Sequence, residues 1–265
     1  MPELATSTWE NLLEDIAQRK CILLTGPELF NVAGTPVQRH VRKTLLDGAN
    51  GEITFFYEAE GLFFFKDDEA KGDLARRVKR IYRQIQPPQD VFLKILQIPF
   101  PLILSLNPDT WLRDFCKEFG VSHHFRHLKI YEEGVTDELP EPGSDDTLIF
   151  NLCGNMEDDE SLVLDYEDLF RLLKLTLSKN GLPFSVQKLV NEAKSFLFLG
   201  FQFEKWYSQL LLQLFTGGRK KSSKIAIDTT VADQDAQNFV LKQFSIKFFG
   251  NGSLFLQIRH DRCVN

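Results

Sequence analysis

Short, continuous apolar runs alternate along the chain with longer stretches in which apolar residues recur at helical spacing. The runs are KCILLTG (20–26), PLILSLNPD (101–109), TLIFNLCGN (147–155) and SFLFLGF (195–201), each breaking at a glycine or a polar pair. Apolar on both faces and only a few residues long, they suit strands buried inside a parallel sheet. KIAID (224–228) and FSIKFFG (244–250) predict two more strands. Helical spacing covers 7–18, 36–46, about 69–84, 88–97, 110–118, 165–178, 184–193, 205–216 and 232–241. Ser7 or Thr8 is the expected cap of the first helix, and Thr35 that of the second, with Pro36 at its first position. The segment EITFFYEAEGLFFFKDD reads as a hairpin turning at residues 58–61. Apolar strands alternating with helices make an α/β architecture the natural solution, an open and mostly parallel sheet with helices on both faces.

Composition narrows the setting. With 265 residues, 43% of them hydrophobic, and a net charge of −6, the chain is expected to form one domain over 1–265. Residues from about 50 to 97 read as a small helical and hairpin insertion, and EEGVTDELPEPGSDD (132–146) as an acidic surface loop. The longest apolar runs, 196–203 and 210–215, fall short of the ~18–20 residues of a membrane span. The first twenty residues show no secretory pattern, so a cytoplasmic location is expected. Cys21, Cys116, Cys153 and Cys263 are widely spaced and form no zinc motif. His123 and His124 would point to opposite faces of a strand, and no acid or thiol stands at metal-site spacing from them or from His127, so no metal is expected. The basic clusters Arg76, Arg77, Lys79, Arg80, Arg83 and Arg219, Lys220, Lys221, Lys224 read as a solvated helix face and a helix end, which disfavours nucleic acid as a partner.

In open sheets of this kind, ligands bind outside the carboxyl ends of the strands. The punctuation there is Gly26, Asn107 with Asp109, Gly154 with Asn155, and Gly200. These strand ends would converge on one crevice.

Taken in order, the same segments resemble the sirtuin-like family, in particular the shortened domains of prokaryotic defence and conflict proteins. CILLTGPEL followed by GTP (34–36) is similar to the family's first strand and phosphate-binding turn, and LILSLNPDTWLRDF to its strand ending in Asn-x-Asp. IFNLCGNMEDDESLVLDYEDLFRLL resembles the strand, His-Gly pair and acidic helix start, and FLFLGFQFEKWYSQLLLQLF the strand end with glycine, aromatic residue and serine. The resemblance implies a Rossmann-like fold that binds nicotinamide adenine dinucleotide, or an ADP-ribose-like fragment, and breaks the glycosidic bond. By the same resemblance Gly26, Pro27, Glu28, Asn107, Gly154, Gly200 and Gln202 fall at cofactor-binding positions, and Asn107, Asp109 and Cys153 at catalytic ones.

This chain departs from the family pattern at three of those places. The phosphate turn reads Gly26-Pro27-Glu28, where Pro27 lacks an amide donor and Glu28 brings negative charge toward two phosphates. Cys153 stands where the family has its histidine base, and a thiol with an ordinary pKa of about 8.5 is a poor base at neutral pH. The acidic run 157–160 is expected to raise that pKa further, with no cation nearby in sequence. Gln202 replaces the serine. The expected function is therefore a catalytically degenerate binding or assembly component of a defence-type complex, with a protein partner or a second copy as its contact. The alternatives are an active glycohydrolase, with Asn107 at the ribose and Cys153 or Asp109 as base, and a sensor of a nucleotide-derived small molecule. Protein deacylation ranks last, because the paired zinc cysteines of that branch are absent. The phenylalanines of 52–66 are core residues by default, or a contact patch if the hairpin is exposed.

Overall fold

The computed structural model describes residues 6–132, 143, 145–178, 181–216, 222–227 and 234–249. A seven-stranded parallel sheet lies at the centre of the fold. In chain order the elements are α1 (Thr6–Ala17), β1 (Cys21–Thr25), the two-residue strands β2 (Asn31–Val32) and β3 (Thr35–Pro36), and α2 (Val37–Asp47). The hairpin β4 (Ile53–Tyr57) and β5 (Leu62–Phe65) follows, then α3 (Asp68–Gln84), α4 (Gln89–Leu96), β6 (Leu102–Ser105), α5 (Trp111–Phe119) and β7 (His123–His127). The chain continues through β8 (Thr147–Asn151), α6 (Tyr166–Leu177), α7 (Phe184–Glu192), β9 (Ser195–Leu199), α8 (Trp206–Thr216), β10 (Ser223–Ile227), α9 (Gln234–Phe244) and β11 (Lys247–Phe249).

The strand order is β11-β10-β9-β1-β6-β8-β7, so β1 is central and the chain reverses direction across the sheet between β1 and β9. That reversal is where an open α/β sheet leaves a crevice. Alternation along the strands divides the core in two. Leu23, Ile103, Ile149, Leu197 and Ile225 face the layer of α1 to α5. Ile22, Leu24, Leu104, Phe150, Phe196 and Phe198 face that of α6 to α9. Both faces are covered, which is why every position of β1, β6, β8 and β9 is buried. The open, doubly covered α/β sheet of the sequence reading is therefore the observed fold.

Local predictions needed adjustment at three places. Ser7 and Thr8 lie inside α1, which already runs from Thr6. Thr35 belongs to the β2–β3 pair, and Pro36 rather than Thr35 precedes α2, with no side-chain cap. HHFRH (123–127) forms a parallel edge strand that the apolar-run criterion missed, because Phe125 is its one apolar residue and the edge leaves the strand half-buried. Most of the acidic loop 132–146 and Arg219, Lys220 and Lys221 lie outside the described residues. Lys224 is buried rather than solvated, and its Nζ donates to the Phe244 carbonyl at 3.1 Å.

Helix α3 of the β1-to-β6 connection and helix α6 of the β8-to-β9 connection frame the site. The α3 start is capped by Asp67, whose carboxylate accepts from the Ala70 amide. The α6 start carries a reciprocal Asp165/Asp168 capping box. Lys71 joins them, its Nζ lying 2.7 Å from Asp165 and 2.6 Å from the fully buried Asp168, which also accepts from the Tyr131 hydroxyl at 2.7 Å. The hairpin is pinned beside them by a bond from the Phe63 amide to the Leu164 carbonyl at 2.9 Å.

Candidate functional site

The strand ends converge as their glycine and amide punctuation suggests, but most of the polar groups there bond to the protein itself. Gly26 follows β1 and presses against Gly200 at the end of β9, so closely that a Cβ on Gly26 would overlap the Gly200 carbonyl. Gly200 adopts φ +60, and a Cβ there would strike the backbone of residues 28 and 29. The two turns are in backbone contact, and amides of the turn after β1 are engaged. Gly26 N–H donates to the Leu199 carbonyl at 2.8 Å, and Glu28 N–H to the Gly200 carbonyl at 2.9 Å. Above them Gln202 Nε2 donates to Glu28 Oε1 at 3.2 Å.

Asn107 is 2% exposed. Its amide group donates to the Gly26 carbonyl at 3.2 Å and its backbone N–H to Ser105 Oγ at 3.1 Å, tying the end of β6 to the turn after β1. Pro108 holds Asn107 out of the helical region, consistent with that fixed direction. Asp109 is also buried; its carboxylate accepts from the Trp111 amide at 3.1 Å, and Asn151 of β8 donates to its backbone carbonyl at 2.8 Å. Loss of water raises the Asp109 carboxyl to about 7, against the lowering effect of the Trp111 amide.

Gly154, at φ +84, lets the 159–161 turn approach, since a Cβ would overlap the Ser161 carbonyl. Cys153 behaves differently from the sequence expectation. Burial, not the acidic run, pushes its thiol up to about 12, and a cation does act on it: Arg42 of α2, which opposes the shift. Glu157 is bound to Arg113 at 2.8 Å, and Asp158 to His127 at 2.8 Å. Sequence spacing could not reveal either the Arg42 approach or the two histidine–carboxylate pairs, His127 with Asp158 and His124 with Asp146 at 3.5 Å, because the partners are far apart along the chain. Among the described residues no group of three or more His, Cys, Asp or Glu side chains is placed to hold a metal.

A cleft enclosing about 820 Å³, solvent at its mouth included, opens beside these strand ends. Pro27, Pro108, Cys153 and Gln202, just beyond β1, β6, β8 and β9, form one wall. Residues of α2, of the hairpin, of α3, of the 162–164 segment, of α6 and of α8 form the others. Of the residues matched to family positions, Pro27, Cys153 and Gln202 therefore reach the cleft, while Gly26, Glu28, Asn107, Asp109, Gly154 and Gly200 are not part of its wall. His127 is not part of it either. Arg42 and Tyr207 were not singled out by sequence reasoning; the signal available for Arg42 was an arginine sharing a face of α2 with the buried Val41 and Leu45.

No helix among the described residues is long and apolar enough to cross a membrane. No curated protein matches the chain. A family model described as a SIR2-like domain matches residues 101–248, from just before β6 into β11 and over more than half of the chain. By that match, and in keeping with its seven-stranded parallel sheet and the crevice beside β1, the chain belongs to the SIR2-like domain family.

Proposed function

We propose that this SIR2-like domain binds without efficient turnover and serves as an assembly component of a defence-type complex. One observation carries the reading: the turn amides that a diphosphate would need, those of Gly26 and Glu28, are already bonded to the carbonyls of Leu199 and Gly200. Glu28 and Gln202 meet directly over that turn, which adds a carboxylate where two phosphates would lie. At the base position the thiol of Cys153 is neutral at pH 7, since burial holds its pKa near 12. The test is incubation of the full chain with nicotinamide adenine dinucleotide while following nicotinamide release by chromatography. Release at the buffer rate, unchanged in Asn107→Ala, is expected. Turnover that disappears in Asn107→Ala would overturn the reading.

The glycohydrolase alternative draws on one specific feature, the Asp109 carboxyl raised to about 7, a value suited to proton transfer at neutral pH. Against it, that carboxyl is 7% exposed and accepts from the Trp111 amide.

The assembly role draws on an exposed aromatic stripe. Phe55 and Phe64 on the hairpin, Tyr166 and Phe170 on α6, and Trp206 on α8 follow one another with ring centroids 6.0–6.4 Å apart. Phe55 and Phe170 are each 58% exposed, whereas Phe63 on the other face of the hairpin is buried. A contiguous patch of this kind is a contact surface for a protein partner or a second copy.

A further inference from the structure

We infer that the cleft beneath α2 binds a small carboxylic acid with an apolar body, its carboxylate held by Arg42. This deepens the binding reading above and rests on it. Gln38, Val41, Arg42 and Leu45 project from one face of α2 into the cleft, at helical spacing. The Arg42 guanidinium lies against the backbone of Gly61, where a Cβ would overlap its Nη1 and Cζ, so the glycine makes its room. Among the described residues, Arg42 is the one charged side chain in the wall of the cleft.

The groups acting on the guanidinium are Tyr207, Tyr82 and Cys153, and burial pushes the pKa of each upward, so that all are neutral at pH 7. No carboxylate of a described residue pairs with it. Other half-buried cations do have such partners: Lys71 meets Asp165 and Asp168, Arg77 meets Glu52, and Arg113 meets Glu157. A desolvated guanidinium carries five donors in a fork that fits a carboxylate through two bonds. The rest of the wall is chiefly aliphatic, including Leu62, Val78, Leu164 and Leu172, and would cover an apolar body.

A second buried group, Gln202, has an unmatched acceptor, while Arg42 is hydrogen-bonded to the neutral Tyr207. Gln202 is 9% exposed, and its Oε1 has no donor among the described residues, although its Nε2 is held by Glu28. With the amide orientation set by that bond, Oε1 remains to accept from an O–H or N–H at the ligand's far end. One cation in the cleft matches one negative charge, and the carboxylate of Glu28 beside Gln202 would repel a diphosphate.

The experiment is isothermal titration of the full chain with octanoate and 4-phenylbutyrate, each beside its neutral primary amide, repeated on Arg42→Met. The acids should bind about tenfold or more tightly than the amides, and Arg42→Met should abolish that preference while leaving amide binding in place. Equal binding of acid and amide, no binding of either, or an acid preference unchanged in Arg42→Met would overturn the proposal. If Arg42→Met does not fold, the acid and amide comparison on the unaltered chain decides alone. Nicotinamide release from the dinucleotide would sink the non-catalytic reading and would leave the acid preference standing or falling on its own measurement.

Discussion

Two cations face the interior of the same helical layer, and the chain treats them in opposite ways. Lys71 of α3 is held by Asp165 and Asp168, and Asp168 is further satisfied by Tyr131 and by the backbone amides of Leu164 and Asp165. The groups of described residues that act on Arg42 of α2, namely Tyr207, Tyr82 and Cys153, are neutral. A buried ion pair whose donors and acceptors are matched locks two helix starts together, whereas a buried cation without a counter-ion is a standing cost that a bound anion relieves. The difference suggests that the first site is structural and the second is kept for a ligand.

Four measurements would break or sharpen this contrast. The largest effect is expected for Asp168→Ala, which leaves Lys71 with Asp165 alone, strands the Tyr131 hydroxyl and two amides, and should cost about 3–5 kcal/mol in denaturant unfolding. A loss below about 1 kcal/mol would mean that the cluster is not what joins α3 to α6.

The next concerns Asp109. Its folded pKa of about 7 lies above that of an unfolded aspartate, so between about pH 4 and 7 the folded state holds a proton that the unfolded chain has released. The associated stability is complete at the acid end and declines as pH rises through 7, by at most about 4 kcal/mol. In Asp109→Asn that slope should vanish; a wild-type curve rising with pH across the window, with the same slope in the variant, would refute the assignment.

Arg42→Met, by contrast with Asp168→Ala, is expected to leave stability unchanged or raise it by about 1–2 kcal/mol, because it removes a charge that has no carboxylate partner. A destabilisation as large as that of Asp168→Ala would place Arg42 in the structural class and remove the contrast. The smallest effect on folding belongs to Phe64→Ser, within about 0.5 kcal/mol at its exposed position. The same variant should abolish any concentration-dependent association in sedimentation. A chain that is strictly monomeric before and after the change would count against the aromatic stripe as a contact surface.

Legibility varied from element to element for physical reasons. The buried strands β1, β6, β8 and β9 stood out because both of their faces are covered and leave no polar position. The edge strand β7 did not, because an edge needs no apolar run. The punctuation at Gly26, Asn107, Gly154 and Gly200 was visible, yet a glycine that admits a ligand and one that admits another backbone look alike in one dimension. Here Gly26 and Gly154 admit the backbone of residues 200–201 and 161, respectively. The surroundings of Cys153 could be judged only from its chain neighbours, and those neighbours turn toward Arg113 and His127 instead.

Period and punctuation along the chain determine the alternation of strands and helices, the parallel sheet and the place of the crevice, since these follow from local geometry and from which faces must be buried. The sequence likewise records the departures at Pro27, Glu28, Cys153 and Gln202 as substitutions of known chemistry. Only the tertiary structure decides that the turn amides are already bonded and that Arg42 approaches Cys153 across more than a hundred residues of chain. Desolvation and pairing depend on distances in space, and no spacing along a polymer encodes them until the chain has closed on itself.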